Sequence, residues 1–172
     1  MSSEPLTLSS TDSPIGPLTF ACDASGAVRG VSFADGIERA MRREYPGVSF
    51  SAGATPAAVD QALADYFAGD RAALDRIVWS LDGAVSDGGF QSRVWRALVQ
   101  VPAGTTISYG EMAVRAGEPG AAEAAGVALN RNPIALVLAC HRVVGADGAM
   151  VGFGGGLERK TWLLRHEGAL LI

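Results

Sequence analysis

Three short apolar runs, "LTLSST", "PLTFACD" and "VRGVSF", open the chain, separated by "DSPIG" and "ASGA". The separators hold the Gly, Pro, Asp and Ser residues that tight turns require, so residues 6–33 predict a meander of strands. From Pro56 the period lengthens: Val59, Ala62, Leu63, Tyr66 and Phe67 recur at i, i+3, i+4, i+7 and i+8, one apolar face of a helix that Gly69 ends. A short strand, "RIVWSL", follows. The Gly/Asp/Ser-rich stretch "DGAVSDGGF" (residues 82–90) then predicts a linker, which divides the chain into a domain over residues 1–84 and another over 85–172.

Past the linker, Phe90, Val94, Ala97, Leu98 and Val101 are spaced for a helix that "PAGTT" stops. Ser108, with Glu111 three residues on, forms the signature of a capping box and starts a helix, "YGEMAVRAG", ending at Gly117. After "EPG" a second helix runs from residue 120 to about 131, and two short helices joined by a Gly-containing turn make a helix-turn-helix unit. The second helix, "GAAEAAGVALN", carries almost only Ala and Gly, a surface that allows close backbone approach either to a neighbouring helix or to a nucleic-acid groove. The whole is a mixed α+β or α/β chain, with a sheet-bearing N-terminal domain and a mainly helical C-terminal one.

Composition sharpens this picture in a few respects. With 172 residues, 48% hydrophobic and 19% charged, the chain can bury a real core, and it has no uninterrupted apolar run of about 20 residues for a membrane span. The start, "MSSEPLTLSS", lacks the basic and apolar regions of a secretory leader, which points to a cytoplasmic protein. Two cysteines (Cys22, Cys140) and two histidines (His141, His166), without CxxC or HxxxH spacing, argue against a disulfide framework and predict no metal site. A net charge of −4 weighs against broad electrostatic affinity for nucleic acid, although it does not say where the charges lie.

The candidate chemistry sits in "LACHRVV". A cysteine in an apolar run is ordinarily a small core residue. A reactive one needs a base or a positive charge to favour the thiolate, and His141 and Arg142 follow Cys140 directly. Adjacent residues of an extended strand point to opposite faces, so His141 can serve the sulfur only through a bridging water or a turn at that point.

The run "NRNPIALVLACHRVV" followed by "GFGGGLERKTWLLRHEG" resembles the active-site region of the O6-alkylguanine-DNA alkyltransferases, and the likeness extends in order through "TDSPIGPLTF", "FQSRVWRAL" and "VPAGTTISYGEMAVRAGEPGAA". The resemblance implies an N-terminal domain of ribonuclease H-like shape. It also implies direct repair of DNA: a damaged guanine is flipped into a pocket and its alkyl group passes permanently to a cysteine, without cofactor or metal, by a protein acting as a monomer on duplex DNA. Carried onto this sequence, Cys140 is the acceptor, His141 its base through a water, and Glu167 the acid that fixes the imidazole tautomer. Tyr109 donates to the departing guanine, and Asn132, before Pro133, is a hinge. Val143, Gly154, Gly155, Leu129 and Ala135 line the base pocket. Ala121, Ala122, Glu123, Ala125, Gly126 and Arg131 face DNA. Beside what the resemblance implies, Arg93, Arg96 and Arg115 are either further phosphate contacts or simply solvated, and Arg142, part of the family motif, is read on chemical grounds as structural, a permanent cation that pairs with a buried carboxylate.

Two positions depart from that pattern. Ala139 precedes the nucleophile where the family has proline, which removes a fixed φ. Glu123 stands where the family places the arginine that fills the space left by the flipped base, and its anionic side chain predicts weaker DNA binding. A chain of this kind redirected to a small-molecule substrate, and a lesion binder without transfer activity, are the alternatives; the retained Cys140 speaks against the latter.

Overall fold

The computed structural model describes residues 4–33, 35–150 and 155–170. It divides into two compact units: Met1–Val85 together with Pro133–Val137, and Ser86–Asn132 together with Leu138–Ile172. The segment Pro133–Val137 therefore belongs with the N-terminal unit, although it lies only a few residues before Cys140.

In the N-terminal unit the predicted meander is present as β1 (Leu6–Thr11), β2 (Leu18–Cys22) and β3 (Val28–Ser32), paired antiparallel in sequence. The first turn is closed by Ser13, whose hydroxyl accepts from Ile15 N–H at 3.2 Å and donates to the Gly16 carbonyl at 2.6 Å. At the second, the Asp23 carboxylate accepts from the backbone of Ser25 and Ala27. Such side-chain-to-backbone bonds are why Ser and Asp mark turns. A fourth strand, β4 (Phe50–Ala52), joins parallel to β1, giving the order β3-β2-β1-β4. Between β3 and β4 the chain forms α1 (Ile37–Glu44), which buries Ile37 and Met41 against Leu6 and Ala21. Glycine at position 30 permits this: a Cβ there would stand 2.7 Å from Met41 Cε. The helix α2 (Ala57–Phe67) buries Val59, Ala62, Leu63 and Tyr66, the face its periodicity predicts.

Cys22, on the central strand β2, is 3% exposed, and burial together with neighbouring Asp23 pushes its thiol up to about 11. At neutral pH it is an inert core residue.

The edge strand β3 is not left open. Its outward N–H groups donate from Val28 to the Val78 carbonyl and from Val31 to the Pro133 carbonyl, both at 2.9 Å, and isolated parallel bridges join Val28 to Trp79 and Val31 to Ile134. The strand predicted at "RIVWSL" is reduced, after a 3-10 turn at Ala73–Arg76, to the bridge between Trp79 and Val28.

The C-terminal unit begins with α3 (Phe90–Ala97), which tightens into a 3-10 turn at Leu98–Gln100, three residues earlier than the sequence spacing predicts, ahead of Pro102. The strand β5 (Ile107–Ser108) leads into α4 (Tyr109–Arg115), where the Ser108 hydroxyl accepts from Glu111 N–H at 3.1 Å. The return arm of a capping box is absent among the described bonds, because the Glu111 carboxylate turns to Arg115 at 3.0 Å. After Gly117 and Gly120, both at positive φ, comes α5 (Ala122–Asn130), starting two residues later than predicted because Gly120 is non-helical. Trp95, fully buried on α3, donates from its indole to the Ala128 carbonyl of α5 at 2.7 Å. A 3-10 turn at Cys140–Arg142, the strand β6 (Val143–Val144), parallel to β5, and α6 (Leu157–His166) complete the unit.

Candidate active site

Cys140 stands on a turn, not on an extended strand. Between Leu138 and Cys140 the chain makes a three-residue turn centred on Ala139 (φ −78°, ψ 66°), closed by Cys140 N–H donating to the Leu138 carbonyl at 2.8 Å. The 3-10 turn follows at once, with Arg142 N–H donating to the Ala139 carbonyl at 3.1 Å. Ala139 thus holds a φ that proline also adopts, without the ring to enforce it. Asn132 Nδ2 donates to the same Leu138 carbonyl at 2.7 Å, and the Asn132 side chain also donates to the Cys140 thiol. One amide therefore fixes both the carbonyl that closes the turn and the sulfur that the turn presents. Cys140 is 8% exposed. Burial raises its pKa, while the Asn132 hydrogen bond and the charge of Lys160 pull the other way.

The two residues after Cys140 enter a buried ionic network. Glu167, the C-cap of α6, is fully buried and accepts from His141 Nε2 at 2.8 Å. It also takes Arg142 in a two-pronged contact, Nε to Oε1 at 2.9 Å and Nη2 to Oε2 at 3.0 Å, while Arg142 Nη1 donates to the Val101 carbonyl at 2.7 Å. Burial would raise the Glu167 carboxyl, but the hydrogen bonds and charges of His141 and Arg142 outweigh it and hold the group far below the usual carboxylate range. Burial lowers His141, against the opposing pull of Glu167, so the ring is neutral near pH 7. With Nε2–H donated to the carboxylate, Nδ1 is the basic nitrogen of that tautomer.

Lys160 belongs to the same cluster and was not among the residues that the sequence singles out. Its side chain is fully buried and donates to the Val143 carbonyl at 2.6 Å. Burial lowers its pKa, and the proximity of Cys140 opposes this, so cation and sulfur stabilise one another's charged forms. A signal for it exists in the sequence: Lys160, Leu163, Leu164 and Glu167 fall at i, i+3, i+4 and i+7, all four buried, which puts a lysine on the inward stripe of α6.

Tyr109, the first residue of α4, is half-buried, with its ring against α5 at Gly126, where a Cβ would lie 3.8 Å from Tyr109 Cε1. Burial and the charge of Cys140 raise its phenol, so it stays protonated and able to donate. Of the remaining pocket candidates, Leu129 and Gly155 are buried and Ala135 is half-buried in Pro133–Val137. Gly154 lies outside the described residues. The Val143 carbonyl is engaged by Lys160.

On α5 the residues expected to face DNA differ in exposure. Ala125 is fully buried in the unit's core and cannot reach a groove, whereas Ala121, Ala122 and Gly126 are half-buried and Glu123 and Arg131 are exposed. The outward row is Glu123, Ala124, Val127 and Asn130, of which the sequence reading names only Glu123. The arginines expected to reach phosphates are each held by a carboxylate: Arg93 by Glu118 at 3.4 Å, Arg96 by Asp87 at 2.9 Å and Arg115 by Glu111 at 3.0 Å. Among the described residues no cluster of three or more His, Cys, Asp or Glu is placed to hold a metal ion, and no helix is long and apolar enough to cross a membrane.

The family model "6-O-methylguanine DNA methyltransferase, DNA binding domain" matches residues 89–169. A methylated-DNA–protein-cysteine methyltransferase of Salmonella typhimurium is 40% identical, over 92% of this chain and 94% of its own length, and one of Mycobacterium tuberculosis is 45% identical, over 91% and 88%. Among solved structures, Mycobacterium tuberculosis OGT in complex with DNA is similar at a TM-score of 0.73 and 37% identity, covering 95% of this chain and 93% of that one.

Proposed function

The chain belongs to the methylated-DNA–protein-cysteine methyltransferase family, and we propose that it repairs DNA directly, taking the alkyl group of O6-alkylguanine onto Cys140 in a single turnover. The observation that carries this reading is the buried 2.8 Å bond between Glu167 and His141, the residue next to a cysteine whose sulfur Asn132 holds. Buried thiols are inert unless such a base adjoins them.

In the proposed reaction His141 Nδ1 accepts the thiol proton through a water, and Glu167 and Arg142 keep the ring in the tautomer that can do so. The sulfur attacks the alkyl carbon; a carbon–sulfur bond forms as the carbon–oxygen bond breaks, and the electron pair leaves on the guanine. Tyr109, which keeps its proton, donates a hydrogen bond to the departing ring as charge gathers there, and the proton taken up by His141 is released to neutralise the guanine. Lys160 balances the negative charge while it resides on sulfur. No cofactor or metal is required, since the thioether formed is more stable than the ether broken. The protein is spent.

For the target, α4 and α5 act as a helix-turn-helix whose second helix approaches duplex DNA along Glu123, Ala124, Val127 and Asn130, and the damaged base is flipped out to reach Cys140. The N-terminal unit has the role of a ribonuclease H-like supporting domain, with residues 1–84 and 85–172 as the functional division. Two unpaired thiols suit a reducing cytoplasm, where the chain acts as a monomer.

Incubation with duplex DNA bearing one O6-methylguanine, followed by intact mass and peptide mapping, tests this: one methyl group on Cys140 is expected in the wild type and none in Cys140→Ala. Absence of transfer, while a control acceptor reacts, overturns it. The carboxylate-held arginines and exposed Glu123 favour a second reading, in which a free O6-alkylated base is the substrate. Transfer from O6-benzylguanine but not from duplex DNA would select it.

A further inference from the structure

The edge of β3 and the acceptor cysteine are linked by a short, over-determined path. The chain passes from Asn132 into Pro133–Val137, which packs as part of the N-terminal unit, and returns at Leu138. At its start this strap is fastened to β3, where Val31 N–H meets the Pro133 carbonyl at 2.9 Å and Val31 bridges Ile134. At its centre Leu136, fully buried, is the one non-glycine residue of positive φ among those described (71°), closed by Val137 N–H donating to the Ala135 carbonyl at 2.8 Å. This is the strained form of the three-residue turn, which persists only where surroundings enforce it. At its exit Asn132 clasps the Leu138 carbonyl, and the turn at Ala139 delivers Cys140. Two successive three-residue turns leave little slack between Val31 and the sulfur. With alanine at 139, no proline ring supplies that rigidity independently.

We infer that the outer edge of β3 aims the acceptor sulfur, with Val31 acting as a positioning residue through the strap Pro133–Val137. The N-terminal unit then contributes to alkyl transfer and not to folding alone. The inference rests on Cys140 being the acceptor.

A matched pair of substitutions tests it. Val31→Pro removes the N–H that holds the strap; Val28→Pro removes the equivalent edge N–H, which holds the 78–80 segment instead. Each loses one backbone hydrogen bond and the packing of one buried valine, so both should melt lower by a similar margin. Val31→Pro should slow transfer from O6-benzylguanine about tenfold or more, because small misplacements of a reacting atom cost rate steeply; Val28→Pro should stay within about twofold of wild type. Adding Ala139→Pro to Val31→Pro should recover part of the lost rate. Amide hydrogen exchange at Cys140, whose N–H closes the Ala139 turn, should quicken in Val31→Pro alone.

Equal slowing by both variants reduces Val31 to a stability residue and overturns the inference, as does an unchanged rate or unchanged Cys140 exchange in Val31→Pro. If the wild type accepts no alkyl group, the proposed function fails, while the exchange measurement still decides the coupling. Should Val31→Pro not fold, Ile134→Val, which trims the buried anchor of the strap and leaves β3 intact, takes its place with the same expected order of effects.

Discussion

Replacing Glu167 with glutamine keeps the shape of the buried acceptor and removes its charge. In the native site one carboxylate receives His141 and two nitrogens of Arg142, all with 5% exposure or less. The amide presents one oxygen and an NH2 group that faces donors, so Arg142 is left buried without its counter-charge. Breaking a buried pair in this way costs about 3–5 kcal/mol, a large part of the roughly 5–15 kcal/mol that holds a domain folded. At about 2–4 °C per kcal/mol for a chain of this size, the melting temperature should fall by roughly 6–20 °C.

The pH dependence has a definite sign. A carboxyl depressed in the folded state contributes stability that is full above its ordinary 4.5 and is lost as pH falls below it. His141, also lowered, adds stability that is full above 6.5 and declines as the unfolded ring protonates below that value. Wild type should therefore weaken in two stages on acidification, and in Glu167→Gln the stage below 4.5 should shrink to what the other depressed carboxylates, Asp23 and Asp87, contribute. Transfer should fall about 10²–10⁴-fold at a temperature where the variant is folded, since the imidazole loses its fixed tautomer. Circular-dichroism melts from about pH 2 to 8, paired with single-turnover transfer, supply both readouts. A variant that melts and transfers like wild type would refute the network as described.

Ala139→Pro fits the observed φ of −78° and should stabilise by about 0.4–1 kcal/mol, read as a higher melting temperature with transfer undiminished. Glu123→Arg on the exposed face of α5 should tighten duplex binding and steepen its salt dependence by about one unit in the log–log slope, measured by fluorescence anisotropy. Lys160→Met should slow transfer and move its rise with pH to higher values, because the sulfur loses the cation that favours its charged form; pH–rate profiles check this.

What the sequence disclosed and what it withheld follow from the range of the interactions involved. The turns at Ser13 and Asp23, the buried face of α2 and the Ser108 cap are local, so their residues declare them. By contrast β4 pairs with a strand more than forty residues earlier, and the edge of β3 is covered by 78–80 and 133–137, pairings that no periodicity encodes. At the site, the motif and its resemblance supplied Cys140, His141 and Glu167 and left a bridging water or a turn as the two ways to join adjacent residues; the turn at Cys140–Arg142 is present, set by backbone bonds that periodicity does not encode. Lys160 escaped because lysine is ordinarily solvated, and only its register with Leu163, Leu164 and Glu167 betrays it. Ala125 was misassigned for the opposite reason: alanine fits a groove and a helix interface equally well, and the core claims it here.

Cys22, sunk in β2 and un-ionised at neutral pH, has a practical outcome for a protein that acts once. Of the two thiols only Cys140 has an amide donor and a cation that favour its charged form, and that thiol is gone once the molecule has served. Counting reactive thiols in an undenatured sample is therefore a census of molecules still fit for use.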